Sequence, residues 1–165
     1  MEKSLVLIKS DGVQRGLVGR IIQRLEDVGM KIVAIKMVQT SDDHAREHYI
    51  DVAERVSQEM FICAKNYLAS GPVVALVIEG VGCIKVIRKL VGSTDPETSA
   101  PGTIRGDFAH MGYAWGDSKK KSIRNLIHAS GSSEEAKREI KLWFSNEELH
   151  SYLTTAQKHT FLDDN

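Results

Sequence analysis

Two uninterrupted apolar runs do most to constrain the fold of this chain. Residues 5–8 (LVLI) and residues 72–79 (PVVALVIE) contain almost no polar side chains, and such runs are typical of strands that are buried on both faces. Strands of this kind need other elements to cover them. The chain has 165 residues, of which 42% are hydrophobic, so it is long enough to build that cover around one core.

Helical segments follow each of the predicted strands. The evidence for these helices is a spacing of apolar residues by three and four, together with helix start and stop signals. The predicted helices cover residues 18–28, about 41–49, 57–68, 84–91 and 133–144. Gly29 and Gly92 directly follow two of these segments, as expected just beyond a helix C-terminus. Ser132 and Glu135 have the spacing of a capping box before the last helix.

The order of strands and helices indicates the fold class. Residues 31–39 and 125–129 add two strands, and the resulting order predicts an α+β, ferredoxin-like β-α-β-β-α-β sandwich. We expect a four-stranded antiparallel sheet with helices on one face, in a single domain over residues 1–165. Residues 93–124 are predicted to form a long loop, and loops of that length are uncommon unless they are functional.

Charge and cysteine content narrow the classes of function. Lys plus Arg and Asp plus Glu each number 22, so the net charge does not point to nucleic acid or a membrane surface. Cys63 and Cys83 lack C-x-x-C spacing and neighbouring histidines, which favours core thiols over zinc ligands or a disulfide. The chain begins with a strand pattern and contains no apolar run long enough to span a membrane. We therefore expect a cytoplasmic protein.

An acidic residue lies on the apolar stripe of the last predicted helix. Ala136, Ile140 and Trp143 define this stripe, and Glu139 lies on it. A carboxylate facing a core needs a partner, unless it leans to solvent or caps a backbone amide. His128 is a specific candidate, because a carboxylate bonded to one ring nitrogen leaves the other as a nucleophile. A purely structural histidine is the alternative that the residues leave open.

Three cations stand where they could converge on one edge of the sheet. Lys9 ends the first buried strand, Arg88 lies beside the apolar face of its helix, and Arg105 lies in the long loop. Each cation alone is more commonly solvated or in an ion pair. Together with Thr94 and Asn125 they would form a cradle for a polyphosphate. The chain contains no G-x-x-x-x-G-K-[ST] sequence, so a P-loop is excluded.

Six sequence blocks, in order along the chain, resemble the nucleoside diphosphate kinase family. The blocks are IKSDGVQRGLVGRII (8–22), EHY (47–49), SGPVVA (70–75), PGTIRGDF (101–108), NLIHAS (125–130) and EIKLWF (139–144). Six ordered blocks are far more specific than one short motif. The resemblance implies the ferredoxin-like fold and an enzyme that moves the γ-phosphoryl group from a nucleoside triphosphate to a nucleoside diphosphate. The transfer would be ping-pong, through a phosphohistidine.

The resemblance also implies a role for each matching residue. His128 corresponds to the phosphorylated histidine, Glu139 to the residue that orients it, and Ser130 to a hydrogen-bonding neighbour. Lys9 and Tyr49 correspond to residues near the transferred phosphate and the nucleophile. The implied nucleotide-binding residues comprise the phosphate ligands and one sugar contact, and they correspond to Lys9, Arg88, Thr94, Arg105 and Asn125.

The resemblance extends to a cofactor and to partners. It implies Mg²⁺, held mainly by the nucleotide phosphates, with no metal ligand assigned to the chain. The implied partners are ATP and other nucleoside di- and triphosphates, together with further copies of the chain in a hexamer or alternatively a tetramer. Neither a nucleic-acid partner nor a membrane is expected.

Two segments depart from the family pattern. The family's base-stacking phenylalanine aligns with Met60, and Phe61 lies beside it, so either residue is a candidate to contact the base. Residues 109–124 are longer than in a typical member and form an extended loop insertion that carries Tyr113 and Trp115. This insertion could contact the nucleotide, a neighbouring subunit or only solvent.

Two other classes of protein share the predicted fold. An RNA-binding module needs exposed aromatic side chains on its central strands, and the apolar runs here contain none. A non-catalytic oligomer is the stronger alternative, although the joint presence of His128, Glu139, Lys9 and Arg105 disfavours it.

Overall fold

A four-stranded antiparallel sheet forms the centre of the computed structural model, which describes residues 1–160. The strands are β1 (Glu2–Ile8), β2 (Lys31–Val38), β3 (Val73–Gly80) and β4 (Ile127–Ala129). Their spatial order is β2-β3-β1-β4, and each neighbouring pair is antiparallel. This order is that of the ferredoxin-like α+β class, so the predicted fold class is confirmed.

Ten helices are described over residues 1–160, and the five longest begin close to the positions that the sequence predicts. They are α1 (Ser10–Gln14), α2 (Val18–Glu26), α3 (Asp42–His48), α4 (Ile50–Ala53), α5 (Gln58–Ala69), α6 (Cys83–Val91), α7 (Ile104–Phe108), α8 (Tyr113–Ser118), α9 (Ser133–Trp143) and α10 (Thr155–Thr160). Short 3₁₀ turns cover Pro96–Thr98 and Asn146–Glu148. None of the described helices is both long and apolar enough to cross a bilayer.

Helices cover both faces of the sheet, which corrects the expectation of one covered face. Val6 and Ile8 of β1 pack with α2 and α6, whereas Leu5 and Leu7 pack with α3, α5 and α9. Successive side chains of a strand point to opposite faces, so an unbroken apolar run requires cover on both. The two cores therefore lie on either side of β1.

The segment predicted as one long loop contains regular structure. Residues 93–124 include a 3₁₀ turn, α7 and α8, so the loop prediction is corrected. The Cys63 thiol of α5 lies 3.7 Å from the carbonyl oxygen of Lys120, just beyond α8. Cys63 is half-buried, whereas Cys83 is buried as predicted. The end of the 109–124 segment therefore packs against α5.

Serine caps fix the starts of α3, α5 and α9, three of the helices that carry functional candidates. Ser41 accepts a hydrogen bond from the His44 amide at the start of α3, and Ser57 caps α5 in the same way. Ser132 accepts from the Glu135 amide at the start of α9, over 3.1 Å. These bonds satisfy amides that a helix start leaves unpaired, and thereby define where each helix begins.

Candidate active site

β4 carries His128 next to the central strand of the sheet. His128 pairs with Leu7 of β1, and its neighbours Ile127 and Ala129 point into the core beneath α2 and α6. The alternation of a strand therefore turns His128 toward the layer of α3 and α9. Its side chain is 21% exposed, so the ring is reachable from solvent.

Glu139 of α9 meets His128 as the sequence predicts. His128 Nε2 lies 2.9 Å from Glu139 Oε1, although the ring N–H does not point directly along this line. Ser130 donates a hydrogen bond to Glu139 Oε2 over 2.6 Å, and it accepts one from the Leu5 amide over 3.1 Å. Both carboxylate oxygens are thus engaged, and Ser130 ties the carboxylate to β1.

The environment keeps Glu139 ionised. Burial by itself would raise the pKa of this carboxyl, but His128, the Ser130 hydroxyl and Arg138 together hold the pKa below its usual value. A permanent negative charge beside Nε2 stabilises the positive charge that the imidazole acquires when its other nitrogen forms a bond. Nδ1 of His128 forms no hydrogen bond within residues 1–160.

A tight turn precedes β4 and directs the chain into the site. The Ile127 amide donates to the Asn125 carbonyl over 2.7 Å, which makes residues 125–127 a γ-turn. Leu126 at its centre has φ +67°, a conformation that costs a non-glycine residue about 1–3 kcal/mol. The Leu126 amide donates to Asp11 Oδ2, and its carbonyl accepts from the Lys9 amide. The surrounding chain therefore holds the turn in place.

Arg105 holds the same turn through its side chain. Its guanidinium donates four hydrogen bonds to main-chain carbonyls, whose residues are Gly92, Ser93, Asn125 and Ile127. The residue is only 4% exposed. A guanidinium has five N–H groups, so this geometry leaves one for a phosphate. Burial and the nearby Arg88 lower the pKa of Arg105 to about 10, which still keeps it charged at neutral pH.

Lys9 and Asn125 are bonded to each other at the end of β1. Lys9 Nζ donates to Asn125 Oδ1 over 2.8 Å, and Asn125 Nδ2 donates to the Thr94 carbonyl over 2.9 Å. Burial lowers the pKa of Lys9 to about 7, with Arg105 adding to the shift and Asp11 opposing it. An anion placed here would restore the charge of Lys9.

Three further predicted residues have polar side chains without a hydrogen-bond or ion-pair partner among the described residues. Within residues 1–160, the Arg88 guanidinium, the Thr94 hydroxyl and the Tyr49 hydroxyl form no hydrogen bond or ion pair. Arg88 is exposed, and it is close enough to Arg105 to affect its pKa. Burial and Glu139 raise the pKa of Tyr49 well above its usual value, so its hydroxyl remains a donor. These groups are available to an incoming ligand.

The two candidates for base contact differ in burial. Phe61 is 9% exposed and belongs to the core beneath α3, α5 and α9. Met60, in the first turn of α5, is half-buried. A ring that is packed in a core has no face to offer a base, so Met60 is the better-placed candidate.

The structure adds functional candidates that sequence reasoning did not assign. His48 of α3 is 2% exposed, and its ring centroid lies 4.5 Å from that of His128. Asp11 accepts a hydrogen bond from the Tyr67 hydroxyl, and the Arg124 guanidinium lies 4.2 Å from the centroid of the Tyr67 ring. A signal for His48 existed, since it belongs to the EHY block.

The chain resembles one family along nearly its whole length. It matches the family model described as nucleoside diphosphate kinase over residues 2–149. It is 50% identical over 152 residues to a nucleoside diphosphate kinase of Methanothermobacter thermautotrophicus, covering 92% of this chain and 93% of the relative. It is 48% identical over 163 residues to the chloroplastic nucleoside diphosphate kinase 4 of spinach. That alignment covers 99% of this chain but only 64% of the relative's length.

Solved structures of similar proteins have the same fold. One is a transition-state mimic of the nucleoside diphosphate kinase of Borrelia burgdorferi with bound vanadate and ADP, with a TM-score of 0.93 and 39% identity over 96% of this chain and 95% of that one. Another is a nucleoside diphosphate kinase of Halobacterium salinarum in complex with CDP, with a TM-score of 0.82 and 38% identity over 96% and 97%.

Fold, site and relatives agree on one class of protein. An antiparallel α+β sheet that brings a histidine, a carboxylate and several cations together is the framework of a phosphotransferase. The chain belongs to the nucleoside diphosphate kinase family, as its sequence blocks predict. Its relatives bear the name of that enzyme.

Proposed function

We propose that this chain transfers the γ-phosphoryl group of ATP or another nucleoside triphosphate to a nucleoside diphosphate, with His128 as the intermediate carrier. The observation that supports this most is the placement of the imidazole. Nε2 lies 2.9 Å from the ionised Glu139, and Nδ1 makes no bond to the described residues. Nδ1 is thus free to act as the nucleophile, and Glu139 beside Nε2 stabilises the positive charge that the ring then acquires.

The proposed reaction has two symmetrical halves. The Nδ1 lone pair of His128 attacks the γ-phosphorus, the bond to the bridging oxygen breaks, and the nucleoside diphosphate leaves with that electron pair. A second diphosphate then attacks the phosphohistidine and restores the ring. A phosphorylated imidazole has a transfer potential close to that of a nucleoside triphosphate, so both halves run near equilibrium. A phosphoserine in this place would be too stable to pass the group on.

The cations around His128 would stabilise the charge on the phosphoryl oxygens. Phosphoryl transfer depends mainly on positioning and electrostatics. Lys9 and Arg88 would bind phosphate directly, Thr94 and Tyr49 would donate from their hydroxyls, and Arg105 would contribute its one remaining N–H group. We propose that Asn125 exchanges a present bond for one to the sugar.

Magnesium would arrive with the nucleotide. Within residues 1–160, the only group of His, Cys, Asp and Glu with metal-binding geometry is His48, His128 and Glu139. Two imidazoles are poor partners for Mg²⁺, which prefers oxygen. The chain's own residues therefore do not fit a magnesium cage, and we assign the ion to the phosphates. Bound there, Mg²⁺ would neutralise part of the charge on the phosphates.

The base would lie at the first turn of α5, where it would make apolar contacts without base-specific hydrogen bonds. Met60 offers a half-buried apolar side chain there. The contact between Cys63 and Lys120 brings the end of the 109–124 segment within one helical turn of Met60, so we propose that this segment borders the base. The two solved relatives hold nucleotides with different bases, ADP and CDP, which supports broad base tolerance.

We also propose that the chain assembles into a homo-oligomer, as a hexamer or alternatively a tetramer. Its support is the edge strand β2, where Ile35 and Met37 are 52% and 60% exposed. Exposed apolar side chains on an edge strand favour contact with another chain. Sedimentation equilibrium would give the mass and distinguish the two states. A cytoplasmic location stays a proposal, because the relatives include chloroplastic forms.

Labelling with γ-³²P-ATP and Mg²⁺ tests the proposed function. We expect a label on the protein that is stable in alkali and labile in acid, as a phosphoramidate requires, and that is lost on addition of a nucleoside diphosphate. No label, or an acid-stable one, would contradict the phosphohistidine. The absence of any label would favour the alternative of a non-catalytic oligomer.

A further inference from the structure

Trp143 of α9 forms a hydrogen bond with the buried His48. The Trp143 indole Nε1 donates to His48 Nδ1 over 3.3 Å. An indole nitrogen can only donate, so His48 Nδ1 must carry its lone pair there. A neutral imidazole then bears its single proton on Nε2. Nε2 is buried and has no partner within residues 1–160.

The surroundings of His48 favour the neutral ring. Burial lowers its pKa well below the usual value, and the nearby cations and histidines lower it further. Titratable and charged groups face His48 from its own helix and from each element packed against it: His44 and Tyr49 beside α3, Lys9 at the end of β1, His128 on β4, and Arg138 and Glu139 on α9. Glu139 is the only acid among them.

His48 and His128 lie close to the same carboxylate oxygen. Glu139 Oε1 is 2.9 Å from His128 Nε2 and 3.9 Å from His48 Nδ1. If His48 carried a proton on Nδ1, it would compete with His128 for this oxygen. The Trp143 N–H prevents this, because a proton on His48 Nδ1 would face the indole N–H, and two facing donors repel each other. The ring of His48 also meets that of His128 at 82°, which restricts rotation of His128.

We propose that Trp143 and His48 are positioning residues for His128: the indole locks His48 in its Nε2–H tautomer, which reserves Glu139 for His128. This inference rests on the proposed function, since it assumes that His128 is the nucleophile. Neither residue touches the nucleotide in this scheme. Their effect should therefore fall on kcat and on the pH profile, and not on nucleotide binding.

The decisive comparison is between Trp143→Phe and the double variant Trp143→Phe/His48→Phe. In Trp143→Phe, His48 Nδ1 is free to protonate and bind Glu139, so we expect kcat to fall about tenfold with KM for ATP unchanged. An added loss of activity should appear only below about pH 6.5, because burial and the neighbouring cations hold the pKa of His48 below that of a free imidazole. In the double variant no competing imidazole exists. We expect its kcat to return to within about threefold of His48→Phe, with a wild-type pH profile.

Two kinetic results would overturn the proposal. One is a double variant that is as slow as Trp143→Phe, since this would mean that lost packing explains the defect. The other is a Trp143→Phe enzyme with a wild-type pH profile. Circular dichroism confirms that each variant is folded, and His128→Ala serves as the inactive reference.

A second measurement does not depend on activity. Long-range ¹H–¹⁵N correlation of the histidine-labelled wild-type protein should show His48 with a protonated Nε2 and an unprotonated Nδ1 from pH 8 to pH 5.5. A protonated Nδ1 in this range would overturn the inference even if the enzyme is active. Conversely, a protein that never forms a phosphohistidine would contradict the proposed function, while the tautomer could still be read.

Discussion

Arg105 Nη2 donates to the Ile127 carbonyl over 2.6 Å, one residue before His128. The same guanidinium also bonds the Asn125 carbonyl at the other end of the γ-turn, over 3.2 Å. A residue predicted to bind phosphate is therefore also a clamp on the backbone that carries the proposed nucleophile. This double role separates Arg105 from Arg88, which is exposed and makes no such bonds within residues 1–160.

Substitution of each arginine by lysine should separate the two roles. Arg105→Lys cannot keep four carbonyl bonds, and each buried carbonyl left unpaired costs about 1–3 kcal/mol, so we expect a loss of about 2–4 kcal/mol in the free energy of unfolding. Arg88→Lys is the matched control and should change this free energy by less than about 0.5 kcal/mol. Urea unfolding followed by circular dichroism measures both. Equal stability of the two variants would show that Arg105 is not a clamp.

His128→Ala should abolish phosphoryl exchange between ATP and other nucleoside diphosphates while the protein stays folded. The alanine has no nitrogen to accept the phosphoryl group, whereas the sheet keeps its apolar partners. A coupled assay and circular dichroism would check both statements. His150→Ala removes an exposed histidine outside the site and should leave turnover unchanged. Turnover by His128→Ala within tenfold of wild type would defeat the assignment.

Glu139→Gln should slow the enzyme by a smaller factor than His128→Ala. The amide can still accept from Ser130, but it no longer compensates positive charge on the imidazole, and we expect kcat to fall about ten- to hundredfold. KM for ATP should stay close to wild type, since Glu139 is 2% exposed and lies behind the ring. Steady-state kinetics decides the matter, and an unchanged kcat would remove the orienting role.

Lys9 should take up a proton when a nucleotide binds. Its pKa is about 7 in the nucleotide-free protein, below the usual 10.5, because of burial and Arg105. The unfolded chain therefore binds more protons between about pH 7 and 10.5, and the contribution of Lys9 to stability rises with pH across that range. Polyphosphate should raise the pKa again, so binding at pH 8 should consume a proton. Titration calorimetry in two buffers of different ionisation enthalpy measures this uptake.

The matched variant for this measurement is Lys9→Met, which keeps the apolar stem and removes the titrating amine. We expect no proton uptake from this position and weaker binding. If wild type and Lys9→Met consume the same number of protons at pH 8, the proton goes to another group, and the prediction is wrong.

Met60→Ala should raise KM for nucleotides several-fold with little change in stability, because Met60 is half-buried at the proposed base site. Phe61→Leu is the contrasting variant. It should lower the free energy of unfolding by about 1 kcal/mol through lost core packing and leave KM unchanged. Initial-rate kinetics and urea unfolding on both variants test this pair, and a KM effect confined to Phe61→Leu would reverse the assignment.

Much of the fold could be predicted, because the spacing of apolar residues along the chain indicates which side chains are buried. The unbroken run at residues 5–8 indicates a central strand, and β1 lies between β3 and β4. The same run also implies two covered faces, a consequence missed in expecting helices on one side. The sequence predicts a loop over residues 93–124 because α7 and α8 are only five and six residues long. Helices that short show too few turns for a periodic signal.

The candidate site was predictable in its residue types but not in its bonds. Glu139 on an apolar stripe required a partner, and the structure supplies His128 and Ser130. The sequence cannot reveal that Arg105 is committed to carbonyls, because that depends on where the γ-turn comes to lie. Nor can it reveal that Trp143 donates to His48, since the two residues lie 95 positions apart.

The sequence by itself determined the strands, the five longest helices, the family and the set of candidate site residues. These follow from local periodicity and from ordered motifs, which do not require knowledge of distant contacts. Only the tertiary structure decided which donors are already paired, which nitrogen of His128 faces Glu139, and which of Met60 and Phe61 is accessible. The reason is that hydrogen-bond pairing and burial depend on distances between segments far apart in the chain, and folding alone fixes those distances.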